Sequence, residues 1–113
     1  MARTAGYYKI LRPNMTSVGL FGATPMEYRC NVWNKPKEPV SNHPRKGGGL
    51  WVAPTRTVAL ALRRYVLHQH GICVRIFKCT IGEILYETNG RVKTDKLFFT
   101  EHDEVHDLPS LSK

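Results

Sequence analysis

A chain of 113 residues with 42% hydrophobic and 23% charged side chains is sized for one compact core, which excludes a disordered segment and a two-domain enzyme. No apolar run approaches the roughly 18 residues that cross a bilayer. The N-terminal stretch Met1 to Lys9 has no apolar signal segment, so an intracellular protein without a membrane partner is expected, cytoplasmic or, in a eukaryotic nucleic-acid binder, nuclear. The net charge of +8 is uneven: residues 1–100 hold 16 Lys and Arg against five acids, +11, while residues 101–113 hold four acids and Lys113, −3. A basic body with an acidic tail attracts polyanions, and the attraction weakens with salt.

In chain order, Tyr7 to Leu11 is short, aromatic and β-favouring, and Pro13-Asn14 supplies the turn that ends it. Between Met15 and Cys30 glycines fall at irregular spacing, leaving room for a short strand around Tyr28 to Val32. From Asn34 to Lys46, three prolines among polar residues rule out a long helix or a central strand and read as a clamping or functional loop. Leu60 and Leu67 form a second stripe on the helix described next, and this loop is expected to cover it, with a partner protein as the alternative.

The segment Gly47-Gly48-Gly49-Leu50-Trp51-Val52-Ala53 reads as a glycine-rich loop entering a brief buried strand, with Pro54 and Thr55 opening a helix over residues 55–70 that Gly71 stops. At 100° per residue Val58, Ala61, Leu62, Tyr65 and Val66 share one stripe facing a sheet. His68 and His70 suit the helix C-terminus, where positive charge is favoured. Residues 72–79 are apolar on both faces and are expected to be the central strand. Cys73, Phe77 and Cys79 share one face of it, and the three cysteines Cys30, Cys73 and Cys79 read as reduced thiols because they form no even disulfide framework. Asn89-Gly90 signals a type I′ hairpin turn between Ile84 to Glu87 and a returning strand through Val92 and residues 95–101. The expectation is an α+β domain, 1–101, with a mostly antiparallel sheet or sheets, one main helix and a frayed acidic tail over 102–113.

For chemistry, no phosphate-loop, dinucleotide or nucleophile-elbow spacing is present. His102 and His106 are four apart, as two metal ligands on one helix would be, but they lie at the chain end without a third ligand and read as solvated tail, so no metal is expected. Three consecutive glycines let a ligand approach the backbone closely, and a helix start directs N–H groups outward. Arg45, Lys46, Gly47, Gly48, Gly49, Trp51, Thr55 and Arg56 therefore make a candidate anion site; the other reading of the glycines is a tight bend.

A first strand with Tyr7-Tyr8-Lys9, a Gly-Gly-Leu-Trp-Val-Ala strand feeding a helix, and a late strand ending in Glu101 resemble, in that order, small members of the ADP-ribosyltransferase-like fold. The resemblance spans roughly residues 7 to 101 and implies two small antiparallel sheets and a cleft floored by Gly47 to Trp51. It implies NAD as cofactor, with Lys9 or Arg12 where the family has His or Arg, Trp51 where it has Tyr or Ser, and Glu101 as the late Glu. Only Glu101 carries the family's residue, so strong ADP-ribosyl transfer is not expected. Three functions follow: a binder of a phosphate-rich ligand, nucleic acid or nucleotide, with no cofactor; an NAD-dependent ADP-ribosyltransferase using Lys9 or Arg12, Trp51 and Glu101; or an interaction module, such as a phage-encoded inhibitor, for an acidic protein partner.

Overall fold

The computed structural model describes residues 6–18, 26–43 and 47–106. It is an α+β domain of two three-stranded antiparallel sheets and one helix. The first sheet has the order β1-β3-β6, with β1 Tyr7–Leu11, β3 Arg75–Ile81 and β6 Leu97–Phe98. The second has the order β2-β5-β4, with β2 Leu50–Val52, β5 Val92–Thr94 and β4 Ile84–Glu87. Reciprocal bonds between Tyr8 and Ala53, at 3.0 and 2.7 Å, join the two sheets along one side.

The period of two along each strand sorts residues between layers. Leu11, Phe77, Cys79 and Ile81 of the first sheet meet Leu50, Val52 and Val92 of the second in the main core, with Tyr28, Leu97 and Phe99. Tyr8, Ile10 and Ile76 face the other way and receive the helix α1, Arg56–His70, through Val58, Ala59 and Leu62. Strand β3 is central in its sheet; Phe77, Cys79 and Ile81 face the main core, while on its other side Ile76 is buried under the helix and Lys78 is exposed. It starts at Arg75 rather than residue 72, which leaves Cys73 exposed outside it while Cys79 is buried.

The helix has the caps its sequence announces. The Thr55 hydroxyl accepts from the Val58 N–H at 3.1 Å, and Gly71, at φ 68°, donates its N–H to the Leu67 carbonyl at 2.9 Å. Its buried stripe is rotated from the expected one: Ala59 and Val66 are buried, whereas Ala61 and Tyr65 are exposed. Leu60 packs in the helix-side cluster that also holds Val105 and contains no described residue of the 34–46 loop, and Leu67 is exposed. The described part of that loop turns instead to Gly48 and Lys93.

Three further expectations are corrected. Residues 28–32 form no strand: Tyr28 is buried after an isolated bridge, and a turn with Asn31 at φ 68° follows. The Asn89-Gly90 loop is not type I′, since neither residue has positive φ; it is closed by Thr88 N–H donating to the Arg91 carbonyl at 2.9 Å. The returning strand is split into β5 and β6, in different sheets. At the split, the Asp95 carboxylate accepts from the Glu83 N–H at 2.8 Å and Gly82 N–H donates to the Lys96 carbonyl at 3.0 Å. The β3–β4 and β5–β6 segments thereby change sheets at one shared corner, and a Cβ on Gly82 would meet Asp95 and Lys96.

The start of the expected tail is docked, not frayed. A single 3₁₀ turn, Glu101–Asp103, is capped by Thr100, and Val105 N–H donates to the Ile76 carbonyl at 2.8 Å. The Arg75 guanidinium grips Glu104 through two bonds of 2.9 and 2.8 Å. That pairing holds the Glu104 carboxyl below its ordinary range and Arg75 above its own.

Candidate functional site

The glycine segment is a packing device. Gly48 donates its N–H to the Pro39 carbonyl at 2.7 Å and accepts from the Ser41 N–H at 3.0 Å, so its backbone is engaged within the protein. A Cβ on Gly48 would run into the Glu38 carbonyl, and one on Gly47 or Gly49 into Ser41 or the Lys93 side chain. Gly47 also has φ 77°. The missing side chains thus admit neighbouring backbone and a lysine stem, the structural use of glycine. Arg45 and Lys46 lie outside the described residues. Thr55 and Arg56 stand at the opposite end of β2 from Gly47–Gly49, so glycine loop and helix start do not form one cradle. Arg56 instead lines a cleft of about 300 Å³ with Tyr8, Lys78, His102 and His106, where Asp103 and Glu104 are also found.

The side chains implied by the transferase resemblance do not converge on one cleft. Lys9, 8% exposed, points with Leu11 into the main core, where its ammonium donates to the Trp51 carbonyl at 2.9 Å and lies 5.0 Å from the Tyr28 ring centroid. Burial lowers its pKa from 10.5 to about 8, and raises those of the neighbouring Tyr28 phenol and Cys79 thiol, the thiol to about 12. Arg12 spends a guanidinium donor on the Val18 carbonyl at 2.8 Å. Glu101 is exposed on the 3₁₀ turn. The Trp51 ring lies on the far side of its sheet from Lys9, because Leu50 and Val52 occupy the core face of β2.

On that outer face the second sheet gathers aromatic and cationic groups. Cross-strand pairing sets Trp51 and Tyr86 on either side of Lys93. The two rings meet edge to face with centroids 6.1 Å apart, and the Arg91 guanidinium lies 4.2 Å from the Trp51 centroid. Lys93, 2% exposed, runs past Gly49 to donate its ammonium to the His43 carbonyl at 2.7 Å, and burial lowers its pKa. Trp51 is the member of this group that the strand's alternation brings forward from the sequence. Arg91, Tyr86 and Lys93 join it only through strand pairing, which no local pattern encodes.

No protein-family model, curated protein or solved structure matches the chain. Among the described residues no helix is long and apolar enough to cross a membrane.

Proposed function

We propose that the protein binds nucleic acid on the outer face of the β2-β5-β4 sheet, with a base stacked at Trp51 and Tyr86 and phosphate contacts from Arg91. The observation that carries this reading is the Arg91 guanidinium 4.2 Å over Trp51, beside Tyr86, on a face turned away from the core. Bases stack on aromatic rings and on guanidinium planes, and such stacking is worth about 1–3 kcal/mol per base. The net charge of +8 supplies long-range attraction for any polyanion. The aromatic–cation cluster adds a place where a flat, negatively charged ligand gains more than attraction. The phosphate-rich ligand read from the sequence is kept, but its site moves from the glycine backbone to this sheet face.

The test is an anisotropy titration of a labelled 12-nucleotide strand with the parent protein, Trp51→Ala and Arg91→Ala. Loss of one stacking contact lowers affinity about 5- to 160-fold for Trp51→Ala, and Arg91→Ala follows in the same direction with the fold intact by circular dichroism. Unchanged affinity in both variants refutes the site.

A further inference from the structure

Resting on the nucleic-acid reading above, we propose that the ligand is a single strand and that a second stacking station, Trp33 with Lys96, holds it together with Trp51. Trp33 is 39% exposed, and its loop also leaves Val32 at 46% and Val40 at 49% in solvent. This exposure is built in. Asn34, the next residue, exchanges backbone bonds of 2.8 and 3.0 Å with Leu97, and its carboxamide oxygen accepts from the Arg29 N–H at 2.9 Å. The indole is therefore held in place at the first sheet's edge, with the Phe98 ring centroid at 5.6 Å and the Lys96 ammonium 4.7 Å from its own centroid.

Lys96 also lines a groove of about 340 Å³ with Lys35, Pro36, Pro39 and Val40. Glu38 and Asp95 share the lining, but the Asp95 carboxylate accepts from the Glu83 N–H at 2.8 Å. The proline wall of the groove rests on Gly48, and Gly49 rests on Lys93, the strand partner of Trp51. A continuous set of contacts thus joins the two tryptophans. Lys93 and Lys96, the chain positions beside them, are three residues apart, across the corner where β5 gives way to β6.

A ligand that suits this surface carries flat apolar faces and negative charges in alternation. A single strand has both, whereas a duplex keeps its base faces stacked and offers chiefly phosphates and groove edges. An acidic peptide supplies the charge without the repeated flat faces.

The test compares a labelled 12-nucleotide strand with its own duplex at about 0.1 M salt, using the parent protein, Trp33→Ala, Trp33→Phe and Lys96→Ala. Expected are at least a 10-fold preference for the single strand, a 5- to 20-fold loss of single-strand affinity in Trp33→Ala with duplex affinity unchanged, and recovery of most of it in Trp33→Phe. Lys96→Ala, which leaves the indole in place, should weaken single-strand binding about threefold. Equal affinity for the two forms, or single-strand affinity untouched by both Trp33→Ala and Lys96→Ala, overturns this proposal alone. No binding of either form overturns the nucleic-acid reading beneath it as well.

Discussion

Lys9 and Lys93 are both buried strand lysines whose ammonium groups end on a backbone carbonyl, yet Lys9 lies between the two sheets and Lys93 on the outer side of the second. Lys9 enters the main core among Leu11, Phe77 and Cys79, and burial brings its pKa to about 8. Lys93 is covered from outside, by His43 and the loop seated on Gly48, and is the strand partner of Trp51. The difference teaches that the 17 basic residues are not interchangeable. What each one does is set by its surroundings rather than by the net charge.

Charge reversal breaks the comparison most strongly at Lys93. Lys93→Glu removes the bond to His43 and buries a carboxylate, and a loss of about 3–5 kcal/mol in urea unfolding is expected. Arg91→Glu, two residues away and at the surface, should cost less than about 1 kcal/mol while weakening ligand binding.

Lys9 shows itself through pH. Its folded-state pKa of about 8 lies below the ordinary 10.5, so between those values the unfolded chain binds more protons and the contribution of Lys9 to stability rises with pH. The buried Tyr28 and Cys79 have raised pKa values and act in the opposite sense as the pH climbs past their ordinary values. The informative quantity is therefore the difference between the parent and Lys9→Met. Measured at pH 7 and again near pH 10.5, that difference should change by about 3 kcal/mol in favour of the parent.

Smaller effects separate the glycines. Gly48→Ala, whose new methyl meets the Glu38 backbone carbonyl, should cost about 2 kcal/mol by overpacking. Gly90→Ala should be nearly neutral, because open space surrounds Gly90 and its φ is not positive; a type I′ turn would make it costly. A modest effect is also expected at the docked C-terminal segment. Glu104→Gln should cost about 1 kcal/mol, since Arg75 is partly exposed. Glu104 has a lowered pKa, so the stabilisation it brings is present above the ordinary carboxylate value near 4.5 and is lost as pH falls through the lower folded value. An acid titration of Glu104→Gln should show a flatter loss there than the parent.

Much of the fold was legible because local signals agreed with tertiary ones. Tyr7 to Leu11 had β-favouring residues and a turn after them, and the helix carried Thr55 and Gly71 at its two ends. The sheet change at Gly82 and Asp95 was not legible. Residues 92–101 contain no glycine or proline to mark a break and pass for one strand, and the bonds that break it come from Gly82 and Glu83, over ten residues away. The helix stripe was misplaced because Ala59, not the larger Tyr65, fits against Ile76 and Ala53. For the site, the glycines announced a close approach but not what approaches, and Lys93 fills that space. Trp51 was legible by its type, while Arg91 and Tyr86 reach it only across the sheet.

The most direct measurement of the central claim compares the salt dependence of single-strand binding for Arg91→Ala and Arg64→Ala. Arg64 is exposed on the helix, which packs on the other sheet, so both variants lose one positive charge but only one loses it beside Trp51. The account predicts that Arg91→Ala weakens binding at least 5-fold and lowers the slope of log affinity against log salt by about 0.7 unit, with less than a 2-fold change in Arg64→Ala. Equal losses from the two variants would contradict it, because diffuse attraction by net charge treats every exposed cation alike.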